Sequence, residues 1–196
     1  MKYTQKIEMA IKVAADKHRN QTRKFSKLPY ITHLVSVSFI LGEYTNDEAA
    51  IVAALLHDTL EDTDYSEAEL KKDFGDEVFG LVKAVTEPDR KALNLSWLNT
   101  KLAYAKQLEV ADKRSVMIAA ADKTHNSINI ITDFADKPCE FVKYFGNKHD
   151  DRIQAYQTIA DVINSRLESE EALLSKFNET FTSYLNLVNY VKENCK

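Results

Sequence analysis

Apolar residues recur along most of this chain at intervals of three and four positions, the spacing that places them on one face of an α-helix. The first such stretch follows Thr4, a suitable N-cap residue, and predicts a helix over residues 4–18 with apolar side chains at Ile7, Ala10, Ile11 and Ala14. No window shows the strict alternation of apolar and polar residues that marks a β-strand. The pattern therefore predicts an all-α fold, a single bundle of roughly eight to ten helices.

Cap residues and glycines set the bounds of the other predicted helices. These helices are expected over residues 32–42, from a capping box at Thr45-Asn46-Asp47-Glu48, from a second box at Ser66-Glu67-Ala68-Glu69 to Gly75, from Asp76 to Val85, from Trp97 to Leu108, from Asp112 onward, and over residues 148–167 and 169–194. Residues 86–95 form the most obvious long connection. We expect one domain over residues 1–196, in which residues 168–196 are a C-terminal helical extension packed on the rest.

Composition supports a helical protein and narrows the class of ligand. Only 4 glycines and 3 prolines occur in 196 residues, too few for the many turns of an all-β fold. The net charge is −4, and charged residues of both signs, 29% of the chain, are mixed along it. This balance provides no basic field for DNA or RNA, so a small-molecule substrate is the better expectation.

The sequence predicts a soluble, cytoplasmic protein. Its N-terminal stretch, MKYTQKIEMAIKVAADKH, lacks the uninterrupted apolar core of a signal peptide. No later window offers the roughly 18 apolar residues that a bilayer span needs, so no membrane partner is expected. The two cysteines, Cys139 and Cys195, form no motif with each other, and we expect both to be reduced thiols.

The segment AALLHDTLEDTD changes from apolar to acidic within a few residues. On a continuous helix His57 would face Glu61, and Asp58 would neighbour both Glu61 and Asp62. Three carboxylates at this spacing repel one another unless a cation or a strong hydrogen-bond network compensates. The alternative is an ordinary helix end that becomes acidic as it reaches solvent.

Other polar residues that interrupt apolar helices favour the cation. His33 lies in the first turn of the second predicted helix, and Asp122 follows the apolar run of the helix capped by Asp112. Together with His57 and Asp58 they offer two imidazoles and two carboxylates from three helices. That is a suitable ligand set for Mn²⁺, Fe²⁺ or Zn²⁺, with positions left for water or substrate.

The order H…HD…D resembles the HD superfamily of metal-dependent phosphohydrolases. Three segments, HRNQTRKFSKLPYITH, AALLHDTLEDT and AADKTHN, are similar to the hydrolase domain of the RelA/SpoT alarmone enzymes and to stand-alone small alarmone hydrolases. This resemblance implies an HD-type helical bundle with Mn²⁺ held by His33, His57, Asp58 and Asp122. It also implies removal of the 3′-pyrophosphate from ppGpp or pppGpp to leave GDP or GTP, without synthetase activity.

The resemblance also assigns residues to the reaction. Glu61 and Asp62 are expected to orient or deprotonate the attacking water, because a metal-bound His57 or Asp58 cannot do so. The expected substrate-binding residues are Arg23, Lys24, Lys123 and Asn126. Arg23 and Lys24 belong to residues 18–30, the most basic part of the chain, which Pro29 predicts to be a loop and which we call the basic loop.

Two histidines and three departures from the family pattern are not covered by these assignments. His18 and His125 fall on family positions, but we interpret both as structural residues outside the metal shell. Compared with the family pattern, the basic loop is one residue longer, Leu34 stands where proline commonly follows the histidine, and Ile128 replaces an arginine that is often found there.

These departures put phosphate recognition in doubt and leave alternatives open. One alternative is that the same site acts on another nucleotide, such as a deoxynucleoside monophosphate or NADPH. The other is that the chain is a non-catalytic nucleotide-binding module. A homodimer also stays open.

Overall fold

The computed structural model describes residues 2–195, and these residues form ten helices and no β-strand. The helices are α1 (Gln5–Lys17), α2 (Ile31–Gly42), α3 (Glu48–Leu56), α4 (Thr59–Asp62), α5 (Glu67–Val85), α6 (Trp97–Glu109), α7 (Lys113–Phe134), α8 (Glu140–Phe145), α9 (His149–Arg166) and α10 (Glu171–Asn194). The prediction of an all-α fold with eight to ten helices is confirmed.

Helix α3 lies at the centre of the bundle. Every residue from Ala49 to Leu56 is buried, and α3 packs against α1, α2, α5 and α7. A helix that is apolar all round must be covered on all sides, and its alanines allow the neighbouring helices to approach closely. The end of α3 therefore lies deep in the bundle.

Helix α7 forms a second axis of the fold. Its residues from Ser115 to Asp122 are buried, so polar side chains at its middle face the interior. Helix α10 packs along α7 and α9 through Phe177, Phe181 and Tyr184. This packing supports the proposal that the C-terminal extension belongs to the same domain.

Two predictions of local structure around α3 were wrong. The N-cap of α3 is Asp47, whose side chain accepts a hydrogen bond from Ala50 N at 2.9 Å, so the capping box predicted from Thr45 does not form. Thr45 instead uses its hydroxyl to accept from Asp47 N. Asp47 directly precedes the first helical residue, Glu48, so its carboxylate reaches a free N–H group in the first turn of α3.

The continuous helix predicted through AALLHDTLEDTD is interrupted. Helix α3 ends at Leu56, His57 and Asp58 form a turn, and α4 begins at Thr59. The Thr59 hydroxyl donates to Leu56 O at 2.6 Å, so a side chain engages a carbonyl group at the end of α3. Side-chain hydrogen bonds of this kind compete with the helical backbone pattern.

The prediction of two reduced thiols was also wrong. Cys139 and Cys195, separated by 56 positions, form a disulfide with their Cα atoms 5.1 Å apart. Helix α10 runs back along the bundle, which brings its C-terminus beside the N-cap of α8. This contact could not be predicted from the sequence, because it depends on how two distant helices pack.

None of the helices within residues 2–195 is both long and apolar enough to cross a lipid bilayer.

Helix α5 is kinked where the sequence predicted its first part to stop. Gly75 has φ +87° and ψ 169°, a backbone conformation that is essentially restricted to glycine. Ser66 and Glu69 form the predicted capping box at the start of this helix.

We expect Gly75→Ala to lower the free energy of unfolding by about 1–3 kcal/mol, because alanine is strained at this φ and ψ. Gly80→Ala is the matched control. It replaces a glycine inside the same helix where no heavy atom lies within 4 Å of the added Cβ, and should be neutral or stabilise by about 0.5–1 kcal/mol. Urea unfolding followed by circular dichroism measures both changes, and equal effects would contradict the prediction.

Candidate metal centre

Four polar side chains from three parts of the bundle meet in one cavity, and we call these four residues the cluster. His33 comes from the first turn of α2, His57 and Asp58 from the turn after α3, and Asp122 from α7. His33 Nε2 lies 3.5 Å from Asp58 Oδ2 and 3.2 Å from Asp122 Oδ1. His57 Nε2 lies 3.2 Å from Asp58 Oδ2 and 3.7 Å from Asp122 Oδ1. The tightest group is His33, His57 and Asp58, whose ligand atoms lie within 4.8 Å of one another, and Asp122 faces both imidazoles from the opposite helix.

Both imidazoles turn Nε2 towards this centre. His57 donates from Nδ1 to Ala54 O at 2.8 Å, and its buried Nε2 has no hydrogen-bond partner among the described residues. His33 Nδ1 lies 2.7 Å from His125 Nδ1. A histidine whose Nδ1 is held in this way presents the lone pair of Nε2, which is the arrangement of a metal-ligating imidazole. The residues present therefore fit a bound divalent cation.

Charged groups of both signs face one another in this cavity. Burial alone would raise the pKa of Asp58, but His57 and His33 hold it well below its ordinary value. Burial opposes ionisation of Asp122 as well, and Lys123 with the two histidines lowers its pKa. Burial would lower the pKa of His57, but the two carboxylates raise it well above its usual range. The histidines and Lys123 thus supply positive charge that offsets the burial of two ionised carboxylates.

A second layer of side chains holds the two carboxylates. Tyr30 donates from its hydroxyl to Asp58 Oδ2 at 2.7 Å. Asp122 pairs with Lys123 Nζ at 2.8 Å through Oδ2 and accepts from Asn126 Nδ2 at 2.6 Å through Oδ1. Lys123 and Asn126, predicted from the sequence to bind substrate, therefore contact Asp122 directly. Their first structural effect is to position that carboxylate.

Glu61 and Asp62 in α4 line the same cavity. Much of the Glu61 side chain is exposed, but its carboxyl group is largely surrounded by protein. The lost hydration, together with the negative charges of Glu87 and Asp58, raises the pKa of Glu61 to about 7. Asp62 accepts a hydrogen bond from Gln21 Nε2 at 2.8 Å, and lost hydration raises the pKa of its carboxyl group. A carboxyl group that titrates near neutral pH beside a cation site is suited to proton transfer.

The basic loop adds a second cavity next to the cluster. The cluster lies in a cavity of about 180 Å³, and a neighbouring cavity of about 320 Å³ shares Tyr30, Asn126 and Tyr156 with it. Arg23 donates to Asn126 Oδ1 at 2.8 Å and lies over the Tyr30 ring at 5.5 Å. Lys24 Nζ lies 4.8 Å from the centre of the Phe145 ring. The predicted basic pair is therefore placed beside the cluster, with aromatic surfaces around it.

Sequence reasoning missed several of these contacts. His125 was placed outside the metal shell, yet it supports His33, and burial with nearby positive groups lowers its pKa to about 3, so it stays neutral. His18 is buried and stacks on Tyr30 at 5.0 Å. Gln21 had no predicted role. The signals for His125 are its match to a family position and its place one turn after Asp122 on α7.

Two of the departures from the family pattern lie away from the cavities. Leu34 is fully buried in the hydrophobic core. Ile128 is half-buried, and within residues 2–195 it lines neither of the two cavities. Neither residue changes the walls around the cluster.

The sequence matches the HD domain family over residues 10–137. A guanosine-3′,5′-bis(diphosphate) 3′-pyrophosphohydrolase of Haemophilus influenzae is 38% identical over 116 residues, which are 58% of this chain and 17% of that protein. The bifunctional (p)ppGpp synthase/hydrolase SpoT of Escherichia coli is 38% identical over 127 residues, 62% of this chain and 17% of that protein. A probable GTP pyrophosphokinase of Mycobacterium leprae is 41% identical over 61% of this chain and 15% of that protein. The chain thus spans only 15–17% of the length of these relatives.

Solved structures resemble the whole bundle. A metazoan ortholog of SpoT that hydrolyzes ppGpp superposes with a TM-score of 0.77 at 29% identity, over 93% of this chain and 97% of that one. A protein of Listeria monocytogenes superposes with a TM-score of 0.64 at 26% identity, over 83% of this chain and 99% of that one.

We expect His125→Phe to weaken Mn²⁺ binding by about 10–100-fold, because His33 loses the partner that fixes its ring. Isothermal titration calorimetry measures the affinity. His149→Phe is the matched control, since His149 is buried against Phe141 and contacts no residue of the cluster. An unchanged affinity in His125→Phe would show that His125 does not position the ligand.

Proposed function

The chain belongs to the HD-domain family, and on this basis we propose that it is a metal-dependent hydrolase that removes the 3′-pyrophosphate of ppGpp or pppGpp. The products would be GDP or GTP and pyrophosphate. The observation that carries this proposal is the convergence of two imidazoles and two carboxylates beside Glu61, next to a cavity lined by Arg23 and Lys24.

We propose that His33, His57, Asp58 and Asp122 hold the metal. Imidazole and carboxylate ligands suit Mn²⁺, which the family resemblance favours, and also other divalent transition metals. The bound ion would supply Lewis-acid polarisation of a phosphoryl oxygen and would acidify water. Lys123 and Asn126 hold Asp122 in place, and Tyr30 does the same for Asp58.

Glu61 is the proposed proton acceptor for the attacking water. Its pKa of about 7 leaves the carboxylate partly ionised at neutral pH, so it can take a proton as the water attacks phosphorus. The bond between that phosphorus and the ribose 3′ oxygen then breaks, and the 3′ oxygen takes up a proton from solvent and leaves as a hydroxyl group. Asp62, held by Gln21, is placed to orient the same water.

Arg23 and Lys24 are proposed to bind the nucleotide. Both are cations beside an aromatic ring, Tyr30 for Arg23 and Phe145 for Lys24, so the second cavity offers charge for phosphate and flat surfaces for a base. Helix α7 supplies Asn126 to both cavities, and this shared wall supports the proposal that a nucleotide in the second cavity reaches the cluster.

Several narrower statements stay predictions. They are the identity of the metal as Mn²⁺, the absence of synthetase activity, the absence of DNA, RNA and membrane partners, and a cytoplasmic location. A homodimer also remains a prediction to test. The disulfide between Cys139 and Cys195 is unusual for a reducing compartment, so the location needs its own measurement.

Purified protein with Mn²⁺ should release pyrophosphate from ppGpp, and Asp58→Ala should abolish the release, because it removes a proposed metal ligand. A panel that includes ppGpp, pppGpp, a deoxynucleoside monophosphate and NADPH, read for pyrophosphate against phosphate, tests the substrate class. Faster turnover of another nucleotide would transfer the proposal to that substrate. Binding of ppGpp without any turnover in saturating Mn²⁺ would favour a non-catalytic module.

Glu61→Gln should lower kcat by about 10²–10⁴-fold while the protein still binds metal, because glutamine cannot accept a proton. In the unchanged protein, kcat should rise with pH up to a plateau above about 7, since only the ionised Glu61 accepts the proton.

Glu87→Gln is the control for the pH dependence. It removes a negative charge that helps to raise the Glu61 pKa, so the rise in kcat should move to lower pH. A pH profile that is the same in the unchanged protein and in Glu87→Gln would contradict the role of Glu61.

A further inference from the structure

We propose that the Cys139–Cys195 disulfide is a thiol–disulfide exchange site. Its redox state would set the shape of the second cavity, which is lined by Arg23 and Lys24 and is called the nucleotide cavity from here on. The proposal rests on the proposed function only in naming the occupant of that cavity as a nucleotide. Its structural basis is a line of contacts that leads from the disulfide through α8 to the basic loop.

Helix α8 is short, and most of its side chains are only partly buried. It has six residues, and only one of them, Phe141, is buried. The Phe141 ring packs against Phe134 at 5.6 Å and against Phe145 at 4.7 Å. Arg152 donates to Phe145 O at 3.2 Å and so holds the end of the helix, whereas the disulfide is the covalent attachment at its start.

The disulfide supplies that attachment from a rigid partner. Cys139 is the N-cap residue of α8, and Cys195 directly follows α10. Helix α10 is fixed along α7 by buried residues as far as Val191, close to the cysteine. The bond therefore ties the start of α8 to a well-packed helix.

The other end of α8 forms a wall of the nucleotide cavity. Phe145 lines the cavity of about 320 Å³, and Lys24 Nζ lies 4.8 Å from the centre of the Phe145 ring. Tyr144 packs edge-on against Phe25 of the basic loop at 5.0 Å. Two consecutive residues of the basic loop, Lys24 and Phe25, thus contact α8.

The basic loop continues this line of contacts to the cluster. Arg23, next to Lys24, donates to Asn126, and Asn126 donates to Asp122. The cluster itself is held by α2, α3 and α7, none of which carries a cysteine. Loss of the disulfide should therefore change the nucleotide cavity more than the metal ligands.

The bond is placed for exchange with a soluble dithiol. Cys139 is exposed and Cys195 is half-buried, so a thiolate can reach the sulfur atoms. The dithiol attacks one sulfur, the S–S bond breaks to give a mixed disulfide, and the second thiol of the reductant resolves it. The protein gains two electrons and two protons as two thiols, and the reductant leaves as its own disulfide.

We expect reduction to raise the KM for ppGpp by about three- to tenfold with little change in kcat, because binding must then order the α8 wall. The full chain, loaded with Mn²⁺, would be oxidised with a disulfide reagent or reduced with a dithiol, and KM and kcat measured in each state. Free thiols should number zero and then two per chain. Cys139→Ser/Cys195→Ser is the control and should show the raised KM in both conditions.

A second measurement separates this proposal from the proposed function. Deuterium uptake at residues 23–25 and 140–145 should rise on reduction, whether or not ppGpp is hydrolysed, while uptake at residues 53–58 stays the same. Absence of ppGpp hydrolysis in both states would overturn the proposed function alone. Equal KM and equal uptake in the two states, an effect of the dithiol on the double serine variant, or two free thiols after oxidation would each overturn the exchange site.

Discussion

Two ionised carboxylates that face two imidazole nitrogens inside the bundle are the constraint on which the rest of the structure depends. Burial disfavours the ionised form of Asp58 and Asp122, and the positive charge of the histidines and Lys123 compensates for it. The turn after α3 serves this arrangement. His57 and Asp58 lie in this turn, and both side chains reach the same centre, with His57 Nε2 at 3.2 Å from Asp58 Oδ2.

The surrounding side chains make the cluster rigid. Each carboxylate is held by a residue from outside the ligand set, Tyr30 for Asp58 and Asn126 for Asp122, and each imidazole has its Nδ1 engaged. Ligands fixed in this way need little rearrangement when a cation binds. The same contacts join the metal centre to the basic loop, so the ligand set and the nucleotide cavity share one network.

Local signals in the sequence were sufficient for most of the fold. The Ser66 capping box and the cap at Asp112 are set by neighbouring residues, and both were predicted correctly, as was a break at Gly75, which the structure shows as a kink within one helix. The ligand candidates were also visible, because polar residues that end apolar helices are uncommon in a core. The structure brings these candidates together, and their role as ligands remains a proposal.

Features that depend on distant contacts were not predictable. His125 supports His33 across 92 positions, and nothing in the local pattern separates it from a structural histidine. Helix α8 has six residues, too few for a periodic pattern to stand out. The Cys139–Cys195 disulfide depends on the path of α10 over the bundle.

Pulsed electron paramagnetic resonance of the Mn²⁺-loaded protein tests the central claim most directly. If His33 and His57 bind the ion as proposed, the spectrum should contain couplings from two histidine nitrogens, and His57→Gln should leave one. A spectrum of fully hydrated Mn²⁺ without nitrogen coupling, at Mn²⁺ concentrations that saturate the protein, would contradict the proposed metal centre.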